Sequence, residues 1–198
     1  MIMKHAPFIL ASASPRRLDL LQQIGCIPTH VIPANIDETA HKGELPRALA
    51  LRLAQEKAMA TAQQDNHFII AADTVVAVGR RILPKAETKE DVAHCLGLMS
   101  GRTHTVFSGI AVRTPKGDLK SRVVATKVKF KCLSHAETAE YISSDEGIGK
   151  AGGYAIQGLA DSYVISINGS YSNIVGLSLY DIRSMLEGVG FYTANTES

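Results

Sequence analysis

The chain has 198 residues, of which 45% are hydrophobic and 20% charged, and a formal net charge of +2. That is enough chain to bury a sizeable core in one domain or two tightly joined lobes, and the composition is that of an ordinary soluble globular protein. The basic residues are scattered with no block of like charge, so a stable nucleic-acid partner is not expected. The first segment, Phe8-Ile9-Leu10-Ala11-Ser12-Ala13-Ser14-Pro15-Arg16-Arg17, reads as a strand over about 7–12, a turn, and a helix over about 15–24. Ser14 suits the N-cap and Pro15 the first helical position. Arg16 and Arg17 then fall in the first turn, where cations sit badly against the positive end of the helix dipole, so something anionic is expected nearby. A helix N-terminus offers free N–H groups to a phosphate, and guanidiniums add charge-assisted bonds; two solvated arginines are the alternative.

A short strand near His30-Val31-Ile32 precedes a polar loop containing Asp37 and Glu38. Pro46 opens a helix on which Leu49, Leu53, Lys57 and Ala60 share helical spacing, ending near Gln63-Gln64-Asp65-Asn66. Residues 68–78 are a nearly continuous apolar strand, covered on both faces, whose one charge is Asp73. Thr88 to Asp91 signals the start of a helix reaching about Met99, closed by Ser100-Gly101-Arg102. A hairpin follows, from about Thr105 to Arg113 and from about Ser121 to Leu133, turning at Pro115-Lys116-Gly117-Asp118. Its Lys127, Lys129 and Lys131 alternate with Thr126, Val128 and Phe130, which makes them the wet face of a sheet rather than a phosphate patch. Ser134 to Glu137 caps another helix, the glycine-rich stretch 147–154 follows, and a last helix runs from about Leu179 to Leu186. This order predicts an α/β fold with a mixed sheet and a cleft.

Asp73 is the sharpest chemical candidate, because a carboxylate in a covered strand is costly unless paired, hydrogen-bonded or metal-bound. An Asp satisfied by neighbouring backbone N–H groups is the alternative, and the functional reading is favoured over it. Lys57 on its helix, Lys85 in a loop and Glu38 each read alone as ordinary solvated residues. His104 has no second histidine at ligand spacing, so a structural or supporting role is expected. Residues 147–154 match neither phosphate-loop nor dinucleotide spacing, while Gln157 carries an amide able to read a base edge, a solvated or backbone-bonded glutamine being the equal alternative. The three cysteines, Cys26, Cys95 and Cys132, are widely spaced and suggest buried thiols in a reducing compartment. Without a signal-like stretch at Met1-Ile2-Met3-Lys4-His5-Ala6-Pro7 or a bilayer-length apolar run, the expected location is cytoplasmic.

Taken together, Ser12-Ala13-Ser14-Pro15-Arg16-Arg17, Asp37-Glu38, Glu56-Lys57-Ala58, Ala72-Asp73-Thr74-Val75-Val76, Ser100-Gly101-Arg102-Thr103-His104, Lys150 to Gly158, Gly169-Ser170-Tyr171 and Val175-Gly176-Leu177 resemble the Maf family of nucleoside triphosphate pyrophosphatases. The family was first associated with septum formation. The resemblance implies a single domain over 1–198, with a mixed, curved sheet flanked by helices and two lobes around a deep nucleotide-binding cleft. It also implies a homodimer and Mg²⁺- or Mn²⁺-dependent cleavage of a nucleoside triphosphate to monophosphate and pyrophosphate. Ser12, Arg16, Arg17, Lys57 and Lys85 would bind phosphate, Asp73 with Glu38 would hold the metal, and Asp73 would be catalytic. Arg16, Thr74 and Gln157 match the specificity positions of the branch acting on dTTP and UTP. A pyrophosphatase for 7-methyl-GTP or another nucleotide, or a non-catalytic nucleotide-binding regulator of septum formation, are the alternatives. Ala86, Gly149 and Ser178 depart from the family pattern, where proline, an acidic residue and proline are usual; the first bears on how Lys85 is placed.

Overall fold

The computed structural model describes residues 4–61 and 66–193, so the polar run at 63–65 lies outside the described residues. The first half contains β1 Lys4–His5, β2 Phe8–Leu10, α1 Pro15–Gln23, β3 His30–Val31, α2 Pro46–Ala60, β4 Phe68–Val78, β5 Arg81–Leu83 and α3 Lys89–Met99. The second contains β6 Thr103–Arg113, β7 Leu119–Phe130, α4 His135–Ser143, a 3-10 turn Leu159–Tyr163, β8 Val164–Asn168, α5 Tyr171–Val175, α6 Leu179–Gly188 and β9 Tyr192–Thr193. Seven strands form one mixed sheet in the order β3-β2-β4-β6-β7-β8 with β5 beside β4, while β1 and β9 pair separately.

The long strand β4 sets the site. One edge pairs continuously with β6, from Ile69 opposite Arg113 to Ala77 opposite Thr105. The other edge pairs with β2 at 68–70, in parallel, and with β5 at 76–78, antiparallel. Between these two partners, residues 71–75 have no strand beside them, and the sheet opens. Asp73 lies in the middle of this gap. A cleft at such an interruption is where α/β sheets gather ligands, because strand ends and loops converge there.

Period-two alternation sends Phe68, Ile70, Ala72 and Val76 into the larger core with Phe8, Leu10 and Phe191, and Ile69, Ala71, Asp73 and Val75 toward α2. Helix α2 meets this face with Ala50, Ala54 and Ala58 and buries Lys57 among them. The approach is close: a Cβ at Gly109, the residue opposite Asp73, would run into the backbone oxygen of Ala50. The capping signals of α3 and α4 are both present, with Thr88–Asp91 and Ser134–Glu137 bonded reciprocally. Ser14 stands at the N-cap of α1 in an extended conformation, but its side chain makes no cap bond and its own N–H goes to Ser12 Oγ.

Lys127 and Lys129 are exposed beside buried Thr126, Val128 and Phe130, as the alternation predicts. The thiols differ from expectation. Cys26 and Cys95 are buried but Cys132 is exposed, because β7 stops at Phe130 and the chain leaves the sheet to reach the Ser134 cap.

Candidate active site

The gap in β4 opens into a cleft of about 770 Å³. One wall comes from residues 11–17, the loop through Glu38, and α2; the other comes from 82–87 and 149–157. All the residues expected in the site line it: Ser12, Arg16, Arg17, Glu38, Lys57, Asp73, Thr74, Lys85 and Gln157.

Asp73 is 7% exposed and Lys57, also 7% exposed, reaches across from α2. The Lys57 ammonium donates to Asp73 Oδ1 at 2.5 Å and pairs with Glu38 Oε1 at 2.6 Å, so one cation bridges the two carboxylates. Glu38 itself is about half exposed on its loop. That loop is tied to α2 by Arg52, which grips Glu44 through Nε at 2.8 Å and Nη2 at 2.9 Å, and gives Nη2 to the Thr39 carbonyl at 3.0 Å. The forked contact holds the Glu44 carboxyl down at about 2.

Arg16 and Arg17 part company. Arg17 is 8% exposed and all three guanidinium nitrogens donate to protein oxygens: Nε to Gly176 O at 3.0 Å, Nη1 to Ser12 Oγ at 2.9 Å and Nη2 to Thr74 Oγ1 at 3.0 Å. Burial pulls this guanidinium below its ordinary value, partly offset by Asp73. Ser12 Oγ therefore accepts from Arg17 and from Ser14 N–H, leaving its own proton to give. Ser108 donates to the Asn173 carbonyl at 3.2 Å, which leaves the Thr74 hydroxyl to donate to Ser108. Asn173, wholly buried, pins this chain by donating to Val106 O and Thr126 Oγ1.

Arg16 is half-buried and, among the described residues, makes no ion pair, and nor do Lys85 and Lys150 opposite it. Burial lowers Arg16 below its ordinary value, and burial together with the charges of Arg16 and Lys85 lowers Lys150. The lysine loops are stitched together by backbone: Gly152 N–H to Pro84 O at 2.9 Å, Ala86 N–H to Lys150 O at 3.0 Å and Gly149 N–H to Ala86 O at 2.7 Å. The Ala86 bond is one that proline, with no N–H, cannot make. Ser178, another departure, serves as N-cap of α6, accepting from Asp181 N–H. Lys150 and the Arg52 clamp were not anticipated; the glycines flanking Lys150 were the visible signal, whereas nothing local marks Arg52.

Five cationic side chains, Arg16, Arg17, Lys57, Lys85 and Lys150, line the cleft against three carboxylates, Glu38, Asp73 and Glu87. The excess suits a polyanion. Among the described residues no three His, Cys, Asp or Glu side chains cluster as a metal site. The donor set nonetheless fits an ion shared with a substrate, since two carboxylates converge on one cationic group and Mg²⁺ often takes one or two carboxylates plus phosphates and water.

A mixed α/β sheet interrupted by a cationic, carboxylate-floored cleft defines an α/β protein built to act on a small polyanion. A HAM1 protein from Coxiella burnetii shares the fold, with 14% identity and a TM-score of 0.50 over 92% of this chain and 99% of that one. The chain belongs to the Maf family: the family model, described as Maf-like protein, matches residues 7–189. It is 55% identical over 190 residues to a protein named dTTP/UTP pyrophosphatase from Mesorhizobium japonicum, covering 92% of this chain and 91% of the relative. A protein of the same name from Paramagnetospirillum magneticum is 58% identical over 187 residues, covering 94% and 98%.

Proposed function

We propose that this chain is a metal-dependent pyrophosphatase that cleaves dTTP and UTP between the α and β phosphates, releasing the monophosphate and pyrophosphate. The observation that carries the reading is Asp73, a buried carboxylate on the floor of a cleft whose walls present Arg16, Lys85 and Lys150, which make no ion pair among the described residues. A carboxylate facing a triphosphate repels it, so a protein that only held the bare anion would bind it better without one. A hydrolase needs one to orient or deprotonate water.

Arg16, Lys85 and Lys150 take phosphate oxygens and spread the charge that grows on them. Ser12 gives its hydroxyl proton to a phosphate oxygen while Arg17 holds it in place, and the uncapped N–H groups of α1 add to the grip. Asp73 and Glu38 would hold Mg²⁺ or Mn²⁺, which when bound neutralises charge and polarises the phosphoryl oxygen. Gln157 is exposed in the cleft and makes no hydrogen bond among the described residues, so its amide is free to read the O4 and N3–H edge of a uracil-type base. Thr74, fixed by Arg17, shapes the same pocket. One methyl group is worth only about 1–3 kcal/mol in a pocket, so dTTP and UTP are both accepted. On this reading the enzyme works in the cytoplasm as a homodimer and acts on a small nucleotide rather than on nucleic acid or membrane, a reading supported by the resemblance to the family. Among the described residues no helix is long and apolar enough to cross a membrane.

The test is pyrophosphate release from dTTP, UTP, CTP, GTP and 7-methyl-GTP. The first two should lead in kcat/KM, EDTA should stop turnover, and Asp73→Asn should lower kcat by about 10²–10⁴ with the fold intact. Preference for 7-methyl-GTP moves the chain to another branch of the same chemistry. No release from any nucleotide leaves a non-catalytic nucleotide-binding regulator.

A further inference from the structure

Lys57 stands apart from the other cations of the cleft. Arg16, Lys85 and Lys150 are free to meet an incoming polyanion, but the Lys57 ammonium is already committed, 2.5 Å from Asp73 and 2.6 Å from Glu38. The side chains of Lys57 and Asp73 are 9% and 10% exposed, so their contact is shielded from solvent, with the half-exposed Glu38 closing over it. A buried carboxylate without a counter-charge is costly, and Lys57 supplies that charge from within the chain. A lysine suits such a task better than an arginine, because its ammonium is a compact point charge on a flexible four-carbon stem and can swing to a new acceptor.

The same two carboxylates converge on one point in the cleft, where a divalent ion would lie beside the reacting phosphates. An ion taking Asp73 Oδ1 and Glu38 Oε1 must displace the ammonium from both, and the two cations repel at that range. Two carboxylates alone offer little in return, since Mg²⁺ and Mn²⁺ demand a fuller set of oxygen ligands. A triphosphate alters the balance twice, by adding oxygens to the ion and by giving Lys57 a phosphate to hold.

We infer that Lys57 is an internal counter-cation that excludes free divalent ions from the Asp73–Glu38 site, so that the ion is admitted only together with the triphosphate. The inference rests on the metal-dependent reading above. Coupling of this kind is reciprocal: nucleotide tightens the ion as much as the ion tightens nucleotide.

The experiment is titration of the full chain with Mn²⁺, followed by electron paramagnetic resonance, with and without the uncleavable α,β-imido-dUTP. Wild type should bind Mn²⁺ alone weakly, and the analogue, corrected for the Mn²⁺ it binds by itself, should tighten binding by about tenfold or more. Lys57→Met, which keeps an unbranched side chain one atom shorter and removes the charge, should bind Mn²⁺ alone about tenfold more tightly than wild type, while Lys57→Arg should not. Wild type that binds Mn²⁺ alone as tightly as with the analogue overturns the inference, and that measurement stands even if Lys57→Met does not fold. Equal affinity in folded wild type and Lys57→Met also overturns it while leaving the metal site in place. Absence of protein-bound Mn²⁺ under every condition removes the metal-dependent reading itself.

Discussion

Arg17 gives Nε to Gly176, Nη1 to Ser12 and Nη2 to Thr74, joining three segments far apart in sequence, whereas Arg16 one position earlier meets no acceptor among the described residues. Substitutions should therefore separate the two. Arg17→Lys cannot reach three acceptors with one ammonium, and a buried group left unpaired costs about 1–3 kcal/mol. For a chain of this size, about 2 kcal/mol lowers Tm by roughly 4–8 °C. Arg16→Ala should leave Tm unchanged and raise KM. Thermal denaturation of the two variants decides the matter; an unchanged Tm in Arg17→Lys returns Arg17 to the role of a simple phosphate ligand. From sequence the pair was legible as an anion signal, but not its division of labour, because the rotation of α1 that buries Arg17 with Leu20 and Leu21 depends on what it packs against. Lys57 was obscured for the same reason: on an isolated helix it reads as a solvated lysine, and only the small residues Ala50, Ala54 and Ala58 let the sheet come close enough to bury it.

Helix α2 is the element on which the carboxylate floor depends, because it carries Lys57 and, through Arg52, fixes the loop bearing Glu38. Its seat is Gly109 on β6, directly opposite Asp73 in register. Gly109→Ala drives a methyl into the Ala50 backbone, and a backbone atom cannot rotate away as a side chain can. Overpacking of this sort typically costs about 1–3 kcal/mol, and the helix must lift from the sheet. The expected result is a lowered urea midpoint together with a fall in kcat larger than the change in KM, since Lys57 and Glu38 move with the helix. A variant with wild-type midpoint and kcat would show that the helix has slack there. Long elements such as α2, β4 and the β6–β7 hairpin were readable from periodicity and punctuation. The short ones, β5, β8 and α5, were not, because three to five residues show too little periodicity to outweigh turn chemistry and their conformation is decided by neighbours.

At the scale of the molecule, the cleft wall bearing Lys85 and Lys150 rests on a buried aromatic layer, and this layer should make stability depend on pH. His104 is 1% exposed, shares a 2.9 Å hydrogen bond between Nε2 and the Tyr154 hydroxyl, and sits edge-on to Phe130 and Tyr154. The two glycines before Tyr154, both in left-handed conformations, pack the wall loop onto Val76 and Cys95. The ring was recognisable in sequence as structural, yet its partner fifty positions away was not, since only the crossing of β6 under the glycine loop brings them together. Burial pushes the His104 imidazole down from 6.5 to about 4. Between those values the unfolded chain takes a proton that the folded chain refuses, so stability falls as pH drops from about 6.5 toward 4 and is unaffected above it. The loss should reach about 2 kcal/mol by pH 5, at 1.36 kcal/mol per pKa unit. Glu44 and Glu137, held down at about 2, act in a separate window below their ordinary 4.5, where acid strips their stabilising contacts. Urea unfolding at pH 7.5 and pH 5 should show this loss in wild type and a smaller one in His104→Gln, whose amide can still meet Tyr154 but takes up no proton. Equal losses in both proteins would place the acid sensitivity elsewhere.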